Sequence, residues 1–207
     1  MSGEKNYPVN LEIDYPESLS RWKTFFRPFL ALPVLILLSI VAGISDYENY
    51  DDKVKYVSTF GLLYIATGLM ILFRQKYPRW WFDWNYNLTK FGIRVMAYCA
   101  LLTDKYPSTD EDQSVHVEMP YPDAKSELNR WLPLIKWFLV LPHYFILSIL
   151  ILTGFFVTLF VWFVILFTGK YPRGIFNFIT GIMRWALRAD SYAILLITDK
   201  YPPFTVK

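Results

Sequence analysis

Thr-Asp-Lys-Tyr-Pro stands at Thr103 to Pro107 and again at Thr198 to Pro202. Outward from each copy the same order recurs. Lys-Tyr-Pro-Arg lies upstream at Lys76 to Arg79 and at Lys170 to Arg173, each followed by an aromatic segment. Further upstream come a long apolar stretch and a basic aromatic segment, and before these Leu11 to Glu17 (Leu-Glu-Ile-Asp-Tyr-Pro-Glu) and Val117 to Asp123 (Val-Glu-Met-Pro-Tyr-Pro-Asp). Self-similarity over most of a chain sets the architecture before any single motif is read. The reading is two tandem repeats, 1–107 and 115–207, joined by an acidic, polar linker at 108–114.

Composition points to lipid. In 207 residues, 54% are hydrophobic and 19% aromatic, against a net charge of only +3, which argues against a nucleic-acid partner. Cys99 is the single cysteine, so no intrachain disulfide or cysteine metal cluster is expected. Met1 to Ser20 is polar and acidic and does not read as a cleavable leader, so the later apolar segments are expected to drive insertion.

In repeat 1, Pro28 to Ile44 and Val57 to Phe73 carry no charge, and each is near the lower length limit for crossing a hydrocarbon core. The acidic stretch with Asp46, Glu48, Asp51 and Asp52 separates them, while Arg21, Lys23, Arg27, Arg74, Lys76 and Arg79 flank them. The positive-inside rule puts the basic flanks in the cytoplasm and predicts a hairpin over about 28–73. In repeat 2, Trp137 to Thr168 is uncharged throughout. A single helix there would reach about 48 Å at 1.5 Å per residue. The favoured reading is a second hairpin over 137–168, turning near Thr153-Gly154; a single crossing is the alternative. The fold class is a mainly α polytopic membrane protein with four membrane segments, both termini cytoplasmic, and a small cytoplasmic β-sheet formed by the alternating segments around Leu11 to Ile13 and Val115 to Met119.

The aromatic segments, about 80–101 and 174–196, read as interfacial helices. Asp83, Asn87, Lys90 and Arg94 share one face, matched by Asn177, Gly181, Arg184 and Arg188. Tryptophan prefers the headgroup level and basic residues attract anionic lipid, so Lys90, Arg94, Arg184 and Arg188, with Trp80, Trp81, Trp84 and Trp185, are the candidate lipid or partner contacts. Tyr-Pro occurs seven times and marks corners where the chain leaves the membrane surface. Asp104 and Asp199 read as helix caps with a local lysine pair.

Chemistry is sparse. His143, about one turn inside a membrane segment, is the one weak cofactor candidate, as a ligand for a haem or pigment, beside the blander reading of a hydrogen-bonded core residue. No phosphate loop, nucleophile elbow or metal motif is present, so the expectation is a non-enzyme with no dedicated cofactor beyond bound lipid. The favoured role is an accessory or scaffolding subunit that packs helices and lipids beside other integral membrane subunits. A small transporter or channel and an anionic-lipid organiser are the alternatives.

The strand with Tyr-Pro, the basic segments Arg21 to Pro33 and Arg130 to His143, Lys-Tyr-Pro-Arg, and Arg184 to Phe204 together resemble DUF4389, a domain of unknown function from bacterial and archaeal membrane proteins. The resemblance implies a prokaryotic cytoplasmic membrane location and two tandem copies of the domain. It implies no activity.

Overall fold

The computed structural model describes residues 7–41 and 59–206, with side chains in the second apolar helix described from Tyr64 onward. The acidic connection predicted to turn the first hairpin, Ser45 to Tyr56, lies outside the described residues.

Two short strands, β1 (Asn10–Ile13) and β2 (Val115–Glu118), pair antiparallel with Leu11 opposite Val117. Alternation decides their faces: Val115 and Val117 are buried, His116 and Glu118 are exposed. Beneath the sheet lie α3 (Arg79–Cys99) and α6 (Arg173–Ala193). Each follows a proline in extended geometry, Pro78 and Pro172, which ends the preceding segment and leaves helix to begin at the next residue. Tyr86 of α3 donates to the Val117 carbonyl, and Arg184 Nε of α6 donates to the Leu11 carbonyl at 2.8 Å, so each helix is tied to one strand.

On the far side of these helices lies an apolar layer of α1 (Arg21–Val41), α2 (Thr59–Arg74), α4 (Pro133–Leu139) and α5 (Leu141–Thr168). The molecule is thus three layers deep: sheet, aromatic helices, apolar helices. α1 buries Thr24, Arg27, Ala31 and Val34, spaced three, four and three along one stripe, and Val34 packs on Phe91 and Val95 of α3. α5 buries His143, Leu147, Gly154, Val161 and Ile165, again one stripe.

The predicted second hairpin is not formed. Residues 137–168 run through α4 into α5, a single unbroken helix with no turn at Thr153-Gly154. Thr153 does not break the helix because its hydroxyl bonds back to the Ile149 carbonyl. Gly154 serves packing instead of a turn: a Cβ there would stand 3.3 Å from Ile179 Cδ1 of α6. The irregularity falls earlier, at Val140, where α4 gives way to α5 and Pro142 occupies the first turn, the position where a missing N–H costs nothing. α5 ends at Gly169 in the left-handed region (φ 71°).

α1 and α5 are each long and apolar enough to cross a membrane. Only 17% of the most apolar stretch of α5 is buried, so most of its apolar surface is exposed.

Candidate functional site

The most elaborate polar constellation is built twice, where α3 and α6 end. Beyond α3, Leu101 adopts a left-handed conformation (φ 64°), and beyond α6 Leu196 does the same (φ 54°). A leucine disfavours this region, and burial of both side chains (3% and 0% exposed) holds them there. The turn brings Thr103-Asp104 and Thr198-Asp199 back beneath the start of the apolar layer. Arg27 donates to the carbonyls of Tyr98 and Thr103 (2.9 and 2.7 Å) and pairs with Asp104. Lys136 donates to the Thr198 carbonyl and pairs with Asp199, both at 2.7 Å. The second carboxylate oxygen of Asp104 accepts from the Ser20 backbone N–H, and that of Asp199 from the Asn129 N–H, each at 2.6 Å. Tyr98 lies under the Arg27 guanidinium at 4.5 Å and Tyr192 under the Lys136 ammonium at 4.9 Å. Burial pulls the Lys136 ammonium below the ordinary lysine range, against the opposing pull of Asp199. These aspartates are not the local caps expected beside Lys105 and Lys200. They are clamps that fix the first helix of the apolar layer to the end of the aromatic helix.

A second set of contacts exchanges between the two parts of the chain. The Tyr15 hydroxyl donates to the Tyr171 carbonyl, while Tyr121 donates to that of Tyr77. Arg173 stacks over the Tyr15 ring and Arg79 over the Tyr121 ring.

The sequence-predicted cations and tryptophans are dispersed. Arg94 is buried and donates to the Ser108 and Glu111 carbonyls, holding the linker. Arg184 holds β1, and Arg188, also buried, lies over the Tyr7 ring at 5.7 Å. Lys90 is half-buried near Tyr86. Three of the four cations are therefore engaged in contacts within the fold. Trp80 and Trp84 are exposed, Trp81 donates to Thr67, and Trp185 is buried.

His143 is fully buried. Its Nδ1 accepts from Trp185 Nε1 at 2.9 Å, its ring stacks on Phe204 at 3.8 Å, and Tyr201 closes on it at 4.8 Å. Its other nitrogen, Nε2, is buried without a hydrogen-bond partner among the described residues. The blander sequence reading describes its surroundings; its partner is an indole where a carbonyl was expected.

Sequence reasoning missed Asp190. A cavity of about 520 Å³ opens between α1, α3 and α6, walled by Leu35, Leu38, Ile93, Met96 and Leu187 among others, and Asp190 is its one ionisable lining residue among the described residues. The Asp190 carboxylate accepts from the Tyr144 hydroxyl at 2.9 Å, and desolvation pushes its pKa up to about 6. Among the described residues, no three histidine, cysteine or acidic side chains gather to hold a metal ion.

Residues 131–205 match the family model of DUF4389, a domain of unknown function. The match supports that family and covers α4, α5, α6 and the second clamp. One copy is matched, where the sequence reading expected two. No curated protein and no solved structure matches the chain.

Proposed function

We propose that this protein is a non-catalytic integral membrane subunit of a prokaryotic cytoplasmic membrane, built from two copies of one unit, which packs lipids and neighbouring membrane subunits with its apolar layer. The observation that carries the reading is the outer surface of that layer. Phe29 and Ile36 of α1, Phe73 of α2, and Phe145, Phe160 and Phe167 of α5 are all open to the surroundings. An exposed apolar face this extensive marks a lipid or protein contact. Arg27 and Lys136, buried behind it, are engaged in the two clamps. The duplication is supported by the matched clamps, and by a strand register in which Asn10 faces Glu118 as Glu12 faces His116 about a central Leu11–Val117 pair.

A photoreactive amino acid placed at Phe29, Phe155 or Phe160 in cells tests the role. Crosslinks to one defined integral membrane protein support the subunit reading, and crosslinks to lipid alone contradict it in favour of lipid organisation.

The Asp190 cavity favours a second reading, a carrier for an apolar molecule with a hydrogen-bond donor at one end. Ala186→Trp would fill the cavity. Mass spectrometry of the purified protein should then show loss of a stoichiometric lipid that the unaltered protein retains, and identical lipid content in both contradicts a carrier.

A further inference from the structure

α5, from Tyr144 to Phe160, lies antiparallel to α6. Tyr144 near the start of α5 bonds Asp190 near the end of α6, Gly154 at the middle of α5 meets Ile179 and Ile182, and Phe156 and Phe160 face Gly174 and Ile175. Residues 7–15, which contain β1, in turn follow α6. Tyr7 bonds the Arg188 carbonyl, Leu11 receives Arg184, and Tyr15 meets Arg173 and Phe176. The midpoint of the most apolar helix is therefore backed, through one helix thickness, by the midpoint of a strand pair whose Glu12, Asp14, His116 and Glu118 side chains are exposed.

If α5 stood across a bilayer, those four charged or titratable side chains would sit at mid-depth, beside hydrocarbon, where such groups are costly. Nor is the two-stranded sheet closed, so its edges would present unpaired backbone groups to lipid. Both conflicts vanish when the apolar layer lies flat. Every exposed side of α5 then enters the same leaflet, and the sheet stays in water. The rim is consistent with this placement: exposed Arg130 and Trp131 stand ahead of α4, and exposed Arg21, Trp22 and Lys170 stand near the far end of α5. Basic residues and tryptophans there suit an anionic surface.

We infer that the protein is monotopic: α5, with α1 beside it, lies in the plane of an anionic bilayer and immerses its outer face in one leaflet without crossing. The inference rests on the membrane reading proposed above and replaces its crossings with a single embedded face.

Depth measurement tests it on the full chain. Spin labels are placed singly at Phe145→Cys, Phe156→Cys and Phe167→Cys in a Cys99→Ala background, in vesicles of phosphatidylcholine and phosphatidylglycerol. The in-plane helix predicts the three labels at one common depth, about 5–10 Å below the headgroups. A spanning helix predicts Phe156→Cys near the midplane with the other two shallow, and that result overturns the inference while leaving the membrane reading standing. Three water-accessible labels would overturn both. A fourth variant, Asp14→Cys, is distant from the packed layers and independent of their tolerance to labels. It should react fully with a water-soluble maleimide in vesicle-bound protein, and protection there contradicts the in-plane placement.

Discussion

The two clamps do the same work with different cations, and the difference sets how each half of the molecule should fail. Arg27 reaches two carbonyls and a carboxylate with a planar fork, while Lys136 reaches one carbonyl and a carboxylate with a point charge. Arginine cannot discard its proton when its partner is lost; lysine can. Asp104→Ala should therefore be the most damaging single change, about 3–4 kcal/mol by denaturant unfolding, because it strands a buried, permanent charge. Asp199→Ala should cost less, about 2 kcal/mol at neutral pH. The sign of its pH dependence follows from burial. A lysine whose folded pKa lies below its unfolded value stabilises fully only above the unfolded pKa, and loses that contribution as pH falls through the folded one. Without Asp199 the folded pKa of Lys136 drops further, so stability of Asp199→Ala should climb as pH rises toward 10, whereas Asp104→Ala should show no such gain. Equal losses and equal pH profiles in the two variants would contradict a difference between the clamps.

Glycines sharpen it next. Gly181 on α6 lies under the C-terminal tail, where a Cβ would fall 1.7 Å from the Val206 carbonyl oxygen, while Gly92 on α3 has nothing within 4 Å. Gly181→Ala should cost about 1–3 kcal/mol by forcing the tail away. Gly92→Ala should instead stabilise by about 0.5–1 kcal/mol through helix propensity, read as a rise in melting temperature.

Asp190→Asn gives a third contrast, and a smaller one. A carboxyl raised to about 6 from its ordinary 3.8 stabilises below the ordinary value and loses that contribution as pH rises through 6. Asparagine keeps an acceptor for Tyr144 and removes the charge. The variant should gain about 1–2 kcal/mol at pH 7.5 and nothing at pH 4, and a loss at both would mean the cavity needs the carboxylate.

Several elements were legible in the chain alone. Alternation at Val115 to Glu118 located a strand, and the two Lys-Tyr-Pro-Arg corners located the starts of α3 and α6 to within a residue or two. Arg27 and Lys136 could be matched by position, but their partners could not, because Asp104 and Asp199 lie 77 and 63 residues away and are delivered by a left-handed turn at leucine that no propensity favours. The turn expected at Thr153-Gly154 failed for a related reason. A glycine in an apolar run signals either a bend or a close neighbour, and the neighbour, Ile179, belongs to a later helix. The burial of Arg94 and Arg188 was not legible because helical periodicity shows which residues share a face, not whether a strand or tail covers that face.

A polar layer and an apolar layer lie one above the other, and the in-plane placement puts the membrane on one side only. Sidedness tests it most directly. Arg130→Cys and Lys170→Cys, at opposite ends of α5, are introduced one at a time in the Cys99→Ala background and probed in intact cells and in inverted membrane vesicles with a membrane-impermeant maleimide. The account predicts that both positions label in the same one of the two preparations and stay unlabelled in the other. Labelling of one position in cells and of the other in inverted vesicles would contradict it.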